Sequence, residues 1–228
     1  MQINILDTPP VPQGKFITIE GGEGVGKGTL IENLKPLLHN REVVYTREPG
    51  GSAGADQIRK LLVEGDALRW TSITEALLFV AARCDHLEKT IYPALYKGYH
   101  VICDRYIDST YAYQVAAGRI SEEVFNNLHS AINYRKPDLT LILDLPPKIG
   151  LERSRSTSKG EGRFESKPLE YHQAVRMSFA QIAMKDVNRC RLIDASGTPE
   201  EVAAEAMKYI NEFFNRHRGS VTSFQGTN

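Results

Sequence analysis

The run ITIEGGEGVGKGT at residues 17–29 constrains this chain more than any other feature. Ile17 and Ile19 are β-branched strand formers, the glycines at 21, 22, 24 and 26 admit positive φ, and Leu30, Ile31 and Leu34 follow at helical spacing. Gly21, Gly26 and Lys27 fit the G-x-x-x-x-G-K spacing of a loop whose amides surround phosphates, with the helix N-terminus and the lysine adding positive charge. Gly21, Gly22, Glu23, Gly24, Val25, Gly26, Lys27, Gly28 and Thr29 are therefore the predicted nucleotide cradle. The Ser or Thr that usually follows the lysine is Gly28, so the usual hydroxyl ligand of Mg²⁺ is missing. Thr29 lies about 100° further round the helix and is not assumed to replace it. A metal held through water and an acidic residue is the expectation.

Strand-like runs near 15–20, 43–46, 100–103, 139–145 and 190–193 alternate with helical patterns. Strands alternating with helices predict right-handed crossovers and a mostly parallel sheet covered on both faces. Thr198, Pro199 and Glu201 read as cap, first-turn proline and third-position glutamate of the last helix. The 228 residues suit one α/β domain over 15–215. A proline-bearing arm over 1–14 precedes it and a polar tail expected to fray from 216 to 228 follows it. Residues 153–168 are poor in apolar side chains and carry Arg153, Arg155, Lys159 and Arg163. Composition alone predicts a solvated surface loop, and the phosphate-binding context makes a mobile lid the better reading.

Lys plus Arg and Asp plus Glu both number 28, which argues against a general nucleic-acid or membrane-surface binder. Three cysteines without a C-x-x-C pair suit reduced thiols in a cytoplasmic protein, and no run reaches membrane-spanning length.

Ligands of such sheets bind beyond the carboxyl ends of the strands. Asp104 and Arg105 follow the strand HVIC, and Arg47 follows VVYT before a Pro-Gly-Gly turn, so both positions are candidate site positions. A buried ion pair is the bland alternative for Asp104 and Arg105. Asp144 ends an apolar strand in the manner of a Walker-B acid, or caps the turn after it. In the helix from Ser72, the stripe Ile73, Ala76, Leu77, Val80, Cys84, Leu87 and Ile91 reads as core. Phe79 and Arg83 share another face, where ring and guanidinium suit a planar base; periodicity fits an incidental surface pair equally well.

The segments FITIEGGEGVGKGT, TREPGG, FVAAR, DRYIDSTYAYQ, KPDLTLILDLPP, and GLER through GRFE together resemble bacterial thymidylate kinases, a family of P-loop nucleoside monophosphate kinases. The resemblance spans 16 to about 165 and implies a three-layer P-loop fold with a five-stranded parallel sheet, flanking helices and a mobile lid. It also implies phosphoryl transfer from ATP to dTMP with Mg²⁺, in a homodimer. Under it, Glu23 resembles the carboxylate on the 3′-hydroxyl, Arg47 and Arg105 the arginines on the dTMP phosphate, and Phe79 the ring stacked on thymine. Arg83 resembles the reader of a thymine carbonyl, with Ser109, Thr110 and Gln114 on the substrate side and Tyr113 near C2′. Asp104 resembles the acid near Mg²⁺. Lys27, Arg105, Asp104, Arg153 and Arg163 are the implied catalytic set. Departures are Gly28, which is reminiscent of adenylate kinases, a Ser-rich and longer lid, and Gly162 where an aspartate often precedes the arginine. The alternatives are a kinase for another nucleoside monophosphate or a nucleoside, and a nucleotide-binding regulatory protein without turnover.

Overall fold

The computed structural model describes residues 13–66, 68–132, 134–155 and 163–218. Strands β1 (Phe16–Gly21), β2 (Val43–Arg47), β3 (His100–Asp104), β4 (Leu139–Asp144) and β5 (Cys190–Asp194) form one parallel sheet in the order β2-β3-β1-β4-β5. Each expected strand is found within one residue of its expected bounds. All six residues of β1 are buried, as apolar strands at the centre of a two-sided sheet require. Thr18 and Thr140, buried on adjacent strands, share one hydroxyl–hydroxyl hydrogen bond at 2.8 Å. Register brings Ile19 beside Asp104, Gly21 beside Leu143 and Arg47 beside Asp104, so the strands end together at one edge. β3 and β4 flank β1 on opposite sides, which opens a crevice at its carboxyl end.

The helices are α1 (Lys27–Leu37), α2 (Ala53–Val63), α3 (Ser72–His86), α4 (Tyr92–Tyr96), α5 (Ile107–Thr110), α6 (Glu122–Ser130), α7 (Pro147–Arg155), α8 (Leu169–Lys185) and α9 (Pro199–Arg218). Leu30, Ile31 and Leu34 of α1 share one cluster with Ala203, Ala206, Ile210 and Phe213 of α9 and with the strand residues Ile19 and Leu141. Each fully buried Leu, Ile or Phe side chain among these stabilises by about 1.5–3 kcal/mol. A second cluster joins Ala76 of α3, Leu95 of α4, Val101 of β3 and Phe125 of α6; Val175 and Phe179 of α8 form a third with Tyr113 and Ile142. The cap of α9 is reciprocal, with Glu201 N–H donating to Thr198 Oγ1 at 3.3 Å and Thr198 N–H to Glu201 Oε2 at 2.8 Å.

Three expectations are corrected. The stripe on α3 is core only in part: Ala76, Val80, Leu87 and Ile91 are buried, whereas Ile73 and Leu77 are 43% and 48% exposed. The buried face is centred instead on Ala76, Val80, Arg83 and Leu87, because a buried ion pair draws the Arg83 side inward. The C-terminal helix continues through Arg218, past the expected fraying point at 216. The expected loop over 153–168 is not solvated throughout: Arg153 to Arg155 complete α7, and Arg163 is 4% exposed. Residues 156–162 of the expected lid, the arm residues 1–12 and the tail residues 219–228 lie outside the described residues.

Candidate active site

The loop between β1 and α1 is shaped by left-handed backbone that favours glycine. Gly24 has φ 65 and Gly26 has φ 96, and a Cβ on Gly24 would collide with the carbonyl of Gly150 in α7. Lys27 is buried, and its Nζ donates to Gly22 O at 2.7 Å and Gly21 O at 3.2 Å. Burial, with Arg105 nearby, lowers its pKa to about 8. Residues 23–29 line a cleft with Asp104, Arg105, Arg153, Ala195 and Gly197. Arg153 Nη1 donates to Ala195 O at 3.3 Å across this cleft. The buried Oδ1 of Asp104 has no hydrogen-bond partner among the described residues.

On the other side of the loop, Arg105 opens the turn after β3 at φ 64, a left-handed conformation that costs a non-glycine residue about 1–3 kcal/mol. Its Nη1 donates to Gly21 O at 2.9 Å and Ser109 Oγ at 3.3 Å, and its Nη2 to Glu23 Oε2 at 3.0 Å. Tyr113 donates its hydroxyl to Glu23 Oε1 at 3.0 Å. Burial pushes the Glu23 carboxyl upward, but Arg105, Lys27 and the Tyr113 bond outweigh it and hold the group below its usual range. Glu20 lies deeper; burial first, and Asp108 second, raise its pKa to about 7.

Beyond Arg105 an open cleft is lined by Glu48, Arg59, Phe79, Arg83, Thr110, Tyr113, Gln114 and Phe164 among others. Arg83 forms its floor at 1% exposure. Its Nε donates to Glu48 Oε2 at 2.9 Å, its Nη2 to Thr110 Oγ1 at 2.9 Å, and its Nη1 to His129 Nε2 at 2.8 Å. Burial disfavours the Arg83 charge, yet Glu48 more than offsets it and the guanidinium stays charged. Burial and Arg83 lower His129 to about 4, so its ring is neutral, with Nδ1–H donating to Phe125 O at 2.8 Å. Glu48 also bonds His86 Nδ1 at 3.1 Å, and His86 Nε2 bonds Thr46 Oγ1 at 2.7 Å. Gln114 Nε2 donates to Glu75 Oε1 at 3.0 Å, while its buried Oε1 has no partner among the described residues. Phe164 lies 6.3 Å from Phe79 and 5.9 Å from Tyr113, ring centre to ring centre.

The structure therefore brings Phe79, Arg83, Arg105, Ser109, Thr110, Tyr113, Gln114 and Glu23 together in one cleft. Arg47 lines an adjoining cleft with Gly28, Ser52 and Asp104. Arg163 is not brought to the loop with Lys27 and Arg153. It pairs with Glu75 Oε2 at 2.5 Å and donates to Leu62 O and Asp66 O, because Glu75 on α3 offers it a partly buried counter-charge. Asp144 is bound by Arg176 at 2.7 and 2.8 Å rather than capping the next turn. Sequence reasoning missed Glu20, Glu48, Glu75, His129 and Phe164. Glu20 carried a signal, a lone charge in an apolar strand; Glu48 sat inside TREPGG; His129 had none.

A family model described as Thymidylate kinase matches residues 19–206. The chain belongs to the thymidylate kinase family. It is 47% identical over 195 residues to a protein of Caulobacter vibrioides named Thymidylate kinase, across 84% of this chain and 93% of that one. The protein of the same name from Rhodopseudomonas palustris strain TIE-1 is 48% identical over 197 residues, across 84% and 86%. A crystal structure of thymidylate kinase from Ehrlichia chaffeensis shares the fold with a TM-score of 0.70 and 31% identity, covering 86% of this chain and 98% of that one. Membership of the thymidylate kinase family thus rests on both sequence and fold.

Proposed function

We propose that the two clefts on either side of Glu23 divide the thymidylate kinase reaction between them. As a member of the family, the chain phosphorylates dTMP with ATP, giving dTDP and ADP. The observation that carries the division is the convergence of Glu23, Arg105 and Tyr113 at the boundary of the two clefts. ATP takes the loop cleft, its phosphates on the amides of residues 21–29 and on Lys27, with Arg153 adding charge. Phosphoryl transfer needs alignment and charge neutralisation more than covalent chemistry. The attacking phosphate oxygen of dTMP is already an anion, so no general base is assigned.

Arg47 and Arg105 hold the acceptor phosphate, and Glu23, kept ionised, accepts from the 3′-hydroxyl. Tyr113 stands beside the sugar and Phe79 stacks on thymine. Four of the five N–H groups of Arg83 face protein partners, since Nη2 meets Glu48 Oε2 at 2.8 Å as well as Thr110, which leaves one donor on Nη1 for a thymine carbonyl. Ser109, Thr110 and Gln114 complete the acceptor side, and the unpartnered Gln114 Oε1 suits the N3–H of thymine. Arg163 braces this side through Glu75, leaving Arg153 as the lid arginine nearer the loop.

Mg²⁺ fits the donor set. Among the described residues no three His, Cys, Asp or Glu side chains converge on one point, while Asp104 offers a buried oxygen without a hydrogen bond. That pattern suits an ion carried by nucleotide phosphates and water with one protein carboxylate. When bound, Mg²⁺ neutralises phosphate charge. The exposed Ile73 and Leu77 on α3 support a homodimer. No described helix is long and apolar enough to cross a membrane. A cytoplasmic enzyme with one kinase domain over 15–215 and a lid over 153–168 is the matching organisation.

The test is ADP formation with MgATP and dTMP, dUMP, dCMP, dGMP, AMP, CMP or thymidine offered separately. A clear preference for dTMP is expected. Preference for another acceptor would discard the thymine pocket, and turnover indifferent to acceptor would discard the division of clefts.

A further inference from the structure

Glu20 is the last side chain of β1 before the loop glycines, and it is 0% exposed. Both its oxygens are spent on the turn after β3. Oε1 accepts from the backbone N–H of Tyr106 at 2.8 Å and of Ser109 at 3.4 Å, and Oε2 accepts the Ser109 hydroxyl at 2.5 Å. None of these donors belongs to its own strand or to the phosphate loop. The turn it grips starts at Arg105, held at φ 64, and the guanidinium of Arg105 itself reaches Ser109 Oγ at 3.3 Å. A hydroxyl has one hydrogen. Glu20 takes it, so Ser109 presents only lone pairs to Arg105, and the bonds run in one direction from Arg105 through Ser109 to Glu20.

Building on the reading of Arg105 as a ligand of the acceptor phosphate, we propose that Glu20 is a positioning residue for acceptor binding. It clamps Tyr106 N–H so that Arg105 stays in its left-handed conformation, and it orients the Ser109 hydroxyl as an acceptor for the Arg105 guanidinium. The neighbouring carboxylate Asp108 is turned away and paired with Arg189 at 2.6 Å, so it does not compete for the same donors. In Glu20→Gln the amide oxygen can still take both backbone N–H groups, but the amide NH₂ then faces Ser109 and the hydroxyl must accept where it had donated. Shape is kept and one bond is reversed.

The experiment is steady-state kinetics at pH 8 for wild type, Glu20→Gln, Ser109→Ala and the double variant, with thermal melting of each. Glu20→Gln is expected to raise KM for dTMP about tenfold while KM for ATP stays within about twofold. Ser109→Ala, which leaves the backbone clamp untouched, gives a smaller rise with the same selectivity, and the double variant is no worse than Glu20→Gln alone. Equal rises in both KM values with a lowered melting temperature, or penalties that add, would reduce Glu20 to a packing residue. Wild type lacking dTMP-dependent turnover would instead remove the acceptor reading beneath the inference. Should Glu20→Gln fail to fold, selectivity in Ser109→Ala decides.

Discussion

At the end of the crevice proposed for ATP, the donor end, the protein offers backbone. Gly24 and Gly26 at positive φ, Gly28 with nothing within 4 Å of where a Cβ would sit, and the carbonyls of Gly21 and Gly22 shape the loop around one buried lysine. At the acceptor end it offers side chains already bound to one another: Arg83 with Glu48, His129 and Thr110, and Arg105 with Glu23 and Ser109. A phosphate chain presents repeated charge, which amides and one cation can meet. A base and a sugar have edges, and discriminating them requires donors and acceptors fixed in direction before the ligand arrives. With Gly21, Gly24 and Gly26 kept at positive φ, the donor end should therefore tolerate change in side chains other than Lys27, whereas the acceptor end should fail by losing order.

The largest effect is expected from Lys27→Ala. Removing the one lysine on the loop should lower turnover by about a thousandfold or more, without loss of the fold because it also removes a costly buried charge. Near-normal turnover with MgATP and dTMP would contradict this. Arg83→Ala comes next: it strands Glu48 in the core, and urea unfolding should show about 3–5 kcal/mol lost. A loss below about 1 kcal/mol would mean that the acceptor network is not preorganised by that pair.

Smaller, and dependent on pH, is the contribution of Glu20. Burial, and Asp108 beside it, push its carboxyl up to about 7 in the folded protein, against about 4.5 for a solvated glutamate. Between those values the native state keeps a proton that the unfolded chain releases. The stability of wild type relative to Glu20→Gln should thus be greatest below about pH 4.5 and fall as pH rises through 7, by about 1–3 kcal/mol. Parallel pH profiles for the two proteins would refute it. Smallest is Gly28→Ser, which meets no neighbour and replaces a glycine in the first helical turn, so stability should change by less than about 0.5 kcal/mol. A large loss would show that the donor loop is packed more tightly than its open surroundings imply.

The two ends also differed in how plainly they could be read. The donor loop is contiguous, so spacing alone named residues 21–29, and the five strands and the Thr198–Glu201 cap followed from local pattern. The acceptor network joins Arg83 to partners 35 and 46 residues away, and no local period connects them. Helical spacing offered Phe79 and Arg83 as a pair, family resemblance added Thr110, Tyr113 and Gln114, and Glu48 and His129, which hold Arg83, came only from the fold. Periodicity misassigned Ile73 and Leu77 because it finds an apolar stripe without saying what covers it. The Arg163–Glu75 pair could not be read either, because a basic run does not reveal which carboxylate competes for each cation.

The most direct test of fixed acceptor order is the acceptor ranking of Arg83→Ala against wild type, with KM for ATP measured in parallel. The account predicts that wild type prefers dTMP and that the variant loses this preference while KM for ATP stays within about twofold. An unchanged ranking, or equal losses at both substrates, would contradict it.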